Sequence, residues 1–440
     1  LNPNLITPTS LRDRITLLDA LRGIAVFGIL VMNIPGFSLP YAQIFDPSLK
    51  GEMRGANFYA YYIPELIFEG SQRALFSMLF GAGVLLFATR LGKKMDGLLA
   101  AEIFMRRQLW LLVFGLFNAY ILLWFWDVLF HYAILGAALF AFRSCSPKVL
   151  IAAAIVCMFF SMVRENLQPF RDHQTVVKGL AIEKRDTTKV KLTPEQRDVL
   201  SDMQAIRSRS ESKAKLQRVE ENIESVRGSY GDLYFTHSSR SYENETGGLF
   251  YFFVWDGLLF MLLGMAFFKM GILTGEASLR TYIILCVVGL SIGITLSYWR
   301  LHPMIQHSFN YFDMVKEGYP LFYQLSRVVR ALGILGLIMV LYKTSVCAWF
   351  FKLFQPVGRM AFTNYLLQSL ICGFIFYGVG LGYFGKLQRY EIFYVVLGVW
   401  IFELILSHAW LRVFQYGPME WVWRCLTYWR FHPFRKREIN

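Results

Sequence analysis

The residues of this 440-residue chain that could do chemistry are ionisable side chains set inside long apolar runs, where each costs about 2.5–3.5 kcal/mol to insert and must face protein, water or a ligand. Asp127 and His131 stand four apart and share a helix face; a carboxylate that orients an imidazole is the simplest general-base arrangement near neutral pH. The bland alternative is an Asp that caps the helix beside an unrelated His. Glu65, Glu69 and Arg73 follow at spacings of four, a stripe of alternating charge that lines the bundle interior either as a paired polar seam or as a binding surface. Asp19 and Arg22, three apart, either neutralise each other or leave Arg22 to hold an anion. Asn33 lies farther along the same run, placed to hydrogen-bond a neighbouring helix. Arg327 and Arg330 share a face and repel unless an anion lies between them, which makes them a candidate phosphate or carboxylate site; Asp256 and Glu403 are the alternative partners.

The elements that position these groups are membrane helices. The chain is 55% hydrophobic and only 17% charged, below the roughly 25% of soluble domains. About ten apolar runs are long enough for a crossing, at approximately 15–37, 62–89, 104–125, 127–142, 148–164, 249–269, 279–299, 321–343, 360–379 and 391–410. The expected fold is all-α, a polytopic bundle of about ten transmembrane helices with one helical extracytoplasmic loop. The net charge of +14 is spread over alternate turns, from Arg12 and Arg14 through Arg90, Arg107, Arg143 and Lys343 to Arg424 and Arg437. Under the positive-inside rule both termini are cytoplasmic. Dispersed cations of this kind do not make a nucleic-acid face, and no Cys or His spacing suggests a metal.

Three regions follow: residues 1–164 with crossings one to five, 165–247 as the outer loop, and 248–440 with crossings six to ten and a basic tail. Thr193-Pro194-Glu195-Gln196 predicts a capped helix start, and Leu216, Val219, Ile223 and Val226 give one narrow apolar stripe. That stripe suits a helical cap over the outer mouth. No cleavable signal is visible, so the first run is expected to remain as an anchor.

Gly358-Arg359-Met360-Ala361-Phe362-Thr363-Asn364-Tyr365-Leu366-Leu367-Gln368-Ser369, together with Gly417-Pro418-Met419-Glu420-Trp421-Val422-Trp423-Arg424, resembles the YeiB-like family of bacterial inner-membrane proteins. The first-helix Leu18-Asp19-Ala20-Leu21-Arg22-Gly23 pattern, Arg73-Ala74-Leu75-Phe76-Ser77 and Asp127-Val128-Leu129 fit the same family. The resemblance implies Arg359, Asn364, Tyr365 and Gln368 as binding residues. It also implies kinship with transmembrane acyltransferases such as heparan glucosaminide acetyltransferase, hence acyl-CoA as donor and a glycan, lipid or small-molecule acceptor. In the glycan acyltransferases a His follows the first-helix Arg by eleven positions; here Asn33 stands there, and Ser71-Gln72 replaces a frequent Lys-Phe.

The leading expectation is therefore acyl transfer in a bacterial inner membrane. Arg22 would hold the donor diphosphate, Asp127 and His131 supply the base, Asn33 polarise the carbonyl, and Glu69 with Arg73 position the acyl group. A transporter or flippase using the same polar stripe, and a non-enzymatic binding or assembly protein, are the alternatives. Membrane lipids are the expected surroundings, and the oligomeric state is left open.

Overall fold

The computed structural model describes residues 15–94, 97–184 and 192–436; Arg12, Arg14 and Arg437 lie outside the described residues. Ten helices coincide with the ten apolar runs. They are α1 (Thr16–Ser38), α4 (Ser71–Lys94), α5 (Gly97–Tyr120), α6 (Leu129–Leu139), α7 (Pro147–Glu183), α11 (Val254–Lys269), α12 (Leu279–Gln306), α14 (Tyr323–Lys343), α16 (Ala361–Phe376) and α17 (Ile392–Val413). Five of these helices, α1, α7, α12, α14 and α17, are by themselves long and apolar enough to span a membrane, and a sixth such span is the stretch Gly55–Lys93 that contains α4. Two thirds of the apolar window of α1 is buried, against 17% for α12 and 22% for α7, so α1 is the central post and the others face lipid. Gly81 and Gly264 let α4 and α11 touch: a Cβ on either would lie about 2 Å from the facing carbonyl of Met261 or Met78.

Between these lie α2 (Tyr41–Phe45), α3 (Gly55–Ile67), α8 (Pro194–Ser210), α9 (Ser212–Arg227), α10 (Tyr230–Glu243), α13 (Tyr311–Glu317), α15 (Ala348–Arg359) and α18 (Pro418–Tyr428). Helix α8 starts with the expected Thr193 capping box, and Ser229 with Asp232 forms a second one on α10. Val219 and Val226 of the narrow stripe are fully buried. Helices α8 to α10, with α2 and α13, cover one end of the bundle, called here the cap end. The opposite end carries α15 and α18 and is the basic end.

Two boundaries differ from expectation. Helix α7 does not stop near 164 but runs unbroken for 37 residues, about 55 Å, and so projects beyond a roughly 30 Å hydrocarbon core as a stalk for the cap. The second crossing is not one continuous helix: α3 ends at Ile67 and α4 begins at Ser71, with Gly70 at φ 68° between them. Arg330 fills that break. Its guanidinium donates to the Leu66 carbonyl at 3.0 Å, the Glu69 carbonyl and the Ser71 hydroxyl at 2.8 Å, groups that a broken helix in lipid cannot leave bare.

Candidate functional site

At the basic end a cavity of about 300 Å³ runs inward between α1, α4, α5, α6, α16 and α18. Arg22, Arg90, Arg107, Arg359 and Arg424 gather along it, against two carboxylates, Asp19 and Glu420. Both carboxylates are engaged. Asp19 takes Arg22 at 3.2 Å, and Glu420 accepts from the Phe362 and Thr363 amides at 2.7 and 3.1 Å, capping the start of α16 from another helix. Burial raises the Glu420 carboxyl above its ordinary value, and the donors from Thr363 and Phe362 act against that rise. Glu420 thus joins two family-like segments that are distant in sequence. The guanidinium of Arg107 lies 3.6 Å over the Trp423 ring, and Arg424 lies 4.3 Å from that of Tyr416, so aromatic faces hold the cations in place.

Inward the walls become apolar, with Leu79, Phe80 and Leu129, and then meet two phenols. Tyr132 lies 2.5 Å from the Ser77 hydroxyl, which donates to the Arg73 carbonyl. Tyr365 donates to Asp127 Oδ1 at 3.2 Å. The family-like motif residue Tyr365 therefore joins the cavity wall to a carboxylate that is 4% exposed.

The expected Asp127–His131 dyad does not form. The Asp127 carboxylate turns back to cap α6, accepting from the Phe130 amide at 3.0 Å and from Asn118 at 2.7 Å, because the first amides of a buried helix need acceptors more than the imidazole needs an orienter. The two ring nitrogens of His131 lie against the backbone carbonyls of Asp127 and Asn244, and His131 lines neither cavity. Asn33 is half-buried on α1 and also lines neither. The three expected catalytic residues are not brought together.

The charged stripe enters a continuous polar layer across the bundle. Glu65 pairs with Arg300 at 2.8 Å, and Glu69 accepts from Tyr323 at 2.7 Å. Asp256 holds both Arg327 and Arg73, the latter at 3.3 Å, while Glu165 caps α14 through the Tyr323 and Gln324 amides at 2.8 and 2.9 Å. Arg327 and Arg330 are therefore not an empty anion clamp: one is neutralised by Asp256 and the other satisfies the α3–α4 break. Glu403 does not reach them, since it accepts from Gln368 at 3.0 Å instead. Asn364 likewise binds Ser407 at 3.1 Å, so Asn364 and Gln368 lock α16 to α17 rather than facing a cavity. Arg359 lines the basic-end cavity and donates to the Gln415 carbonyl at 3.0 Å.

At the cap end a second cavity, about 1050 Å³, lies between the cap helices and the bundle, with Tyr323 and Arg300 of the polar layer in its wall. The loop Trp124-Phe125-Trp126-Asp127 stands between the two cavities. Tyr41 and Phe45 of the cap-end wall pack on Trp126 at 6.2 and 6.1 Å between ring centroids, while Asp127 meets Tyr365 of the other wall. His237 of the cap pins this loop through the Leu123 carbonyl at 2.8 Å, and burial pushes its imidazolium down to about 4. Trp124 to Trp126, Tyr132 and Tyr323 have no site role in the sequence reading, which takes Arg90 and Arg107 as markers of topology and Arg424 as both such a marker and part of a family-like segment. The usable signal was Trp or Tyr lying close in sequence to intramembrane acids and to cations at helix ends.

A family model described as "Protein of unknown function (DUF418)" matches residues 267–430. The chain is 28% identical to "Uncharacterized protein YxaH" of Bacillus subtilis, over 98% of each chain. It is 27% identical to "Uncharacterized protein YeiB" of Escherichia coli, over 94% of this chain and 96% of the other. A 39.9 kDa protein from the amylase 3' region of Bacillus acidopullulyticus is 24% identical over 97% of each. No solved structure matches.

Proposed function

The chain belongs to the YeiB-like family of membrane proteins, and on that footing we propose that it transfers an acyl group from a coenzyme A thioester bound at the basic end to an acceptor supplied from the cap end. The observation that carries this reading is the basic-end cavity, with a cationic lining for a diphosphate, an apolar bore for a pantetheine arm and acyl chain, and two phenols where the bore ends. The acceptor oxygen or nitrogen bonds to the acyl carbon as the carbon–sulfur bond breaks. Its proton passes through the Tyr365 hydroxyl to Asp127 and returns to the departing thiolate, while Tyr132 turns its hydroxyl proton from Ser77 to the carbonyl oxygen. His131 and Asn33 have no part in this scheme.

The basic end faces the cytoplasm of a bacterial inner membrane in this reading. Ile15 and Tyr428 both line the basic-end cavity, which supports an even number of crossings with both ends on that side. A transport reading draws on a different feature, the presence of cavities at both ends with a polar layer between them. The discriminating experiment incubates the purified protein in nanodiscs with labelled acetyl-CoA and longer acyl-CoA, alongside Asp127→Asn, Tyr365→Phe and His131→Ala. Asn keeps the cap of α6, so the Asp127 variant tests chemistry rather than folding. Transfer lost in the first two and kept in His131→Ala supports the scheme; a solute moved across vesicles with no acyl-CoA bound supports transport.

A further inference from the structure

Among the residues that line the cap-end cavity, cations outnumber carboxylates. Six Arg and Lys side chains line it against three carboxylates. Two of those carboxylates are already engaged: Asp46 holds Lys215 at 2.6 Å and the Ser48 amide at 3.1 Å, and Glu165 caps α14. The third, Glu221, is exposed on α9 and accepts from Gln217 at 2.9 Å. Arg300 is matched by Glu65 from the polar layer. The other four cations are Arg164 on α7, Arg209 on α8, Arg218 on α9 and Arg240 on α10, the last with Glu243 of its own helix nearby, so three of the four come from separate cap helices. Helices carrying like charges into one space gain nothing by converging unless an anion joins them.

The shape and the other walls narrow the ligand class. Arg240 stands 4.9 Å from the Tyr41 ring and 5.4 Å from that of Phe125, which holds its guanidinium in place. Planar guanidinium forks match the oxygens of phosphate, and three of them exceed what a single carboxylate needs. Phe45, Phe309 and Tyr311 add apolar and aromatic faces for an organic body, and about 1050 Å³ admits far more than a bare ion.

We infer that the cap-end cavity is a binding site for a phosphate-bearing organic molecule, with Arg209, Arg218 and Arg240 on the phosphoryl oxygens and the aromatic wall on its carbon skeleton. Calling that molecule the acyl acceptor rests on the acyl-transfer reading; the site itself does not. The same chemistry is offered by a lipid headgroup and by a free phosphorylated solute, so the test has two arms.

The full-length protein is titrated calorimetrically in nanodiscs of phosphatidylcholine with sn-glycerol 3-phosphate and with inorganic pyrophosphate. In parallel, native mass spectrometry compares lipid retained from phosphatidylglycerol and phosphatidylcholine nanodiscs. Arg218→Gln and Arg240→Gln are made singly, with the thermal unfolding midpoint as the folding control; Arg218 is exposed, so its loss leaves the fold intact. The site predicts saturable binding in one arm, weakened about tenfold by each substitution, as expected for a charge-assisted hydrogen bond, and weakened further by salt. Binding in the calorimetric arm identifies a soluble phosphorylated ligand, and selective retention of phosphatidylglycerol identifies a lipid. Absence of binding in both arms, or binding that neither substitution changes, overturns the inference. Acyl-CoA binding, measured on the same samples, reads the basic-end cavity separately, so failure of the donor site and failure of this site are told apart.

Discussion

The polar layer in the middle of the bundle and the two cavities at its ends use the same residue types to different effect. In the layer, Glu65, Glu69, Glu165 and Asp256 face Arg73, Arg300, Arg327 and Arg330, four against four, and nearly every charge has a partner within the protein. In the cavity linings the count is uneven: five guanidiniums stand against two carboxylates at the basic end, and, with Arg300 and Glu165 assigned to the layer, five cations against two carboxylates at the cap end. A balanced buried set holds helices together, whereas an unbalanced set facing open volume is arranged for a ligand that brings the missing charge.

The largest effect that this contrast predicts is on folding. Asp256→Ala leaves Arg327 and Arg73 without their shared carboxylate in a dry interior, at a cost of about 3–5 kcal/mol. Heat stability in detergent, followed by tryptophan fluorescence, should collapse; a variant as stable as wild type would mean that the layer is hydrated and not structural. Gly70→Ala comes next, at about 1–3 kcal/mol, because Gly70 has φ 68° and a Cβ there would lie 2.0 Å from Arg327 Cδ. The same assay should show a lowered midpoint without loss of the fold.

At the basic end, Arg90→Gln or Arg107→Gln should weaken acyl-CoA about tenfold and leave the unfolding midpoint within a few degrees. Equal affinity in both variants would remove the donor assignment from this cavity. Tyr365→Phe should sharpen the picture further, with turnover reduced and donor affinity unchanged.

The smallest effect concerns pH. His237 is neutral in the folded cap, with a folded value near 4 against about 6.5 unfolded; burial lowers it most, the Leu123 carbonyl acts against that, and Arg240 adds to the depression. The unfolded cap therefore binds more protons, and cap stability is full above pH 6.5 and declines as pH falls toward 4. Hydrogen exchange of residues 230–243 should accelerate over that window, and His237→Gln should flatten the response.

The ten helices were legible because a lipid-facing crossing needs about 20 apolar residues, and nothing else in the chain supplies such runs. The α3–α4 break was not, because it depends on Gly70 adopting a positive φ and on Arg330 arriving from a helix some 260 residues away to satisfy the freed carbonyls. The expected shared helix face of Asp127 and His131 fails at Asp127, which lies in the loop before α6, and spacing does not reveal that its carboxylate turns to the first amides of that helix. The basic-end cavity was out of reach for a related reason. Arg22, Arg90, Arg107, Arg359 and Arg424 come from five helices, and only their packing makes them one lining.

The central claim, that unbalanced charge facing a cavity marks a ligand site, is tested most directly by equilibrium binding of labelled acyl-CoA to the folded protein in nanodiscs. The account predicts saturable, one-to-one binding that rises with acyl length and falls about tenfold in Arg107→Gln. Folded protein that binds no acyl-CoA of any chain length, or binds it equally well with Arg107 replaced, would contradict it.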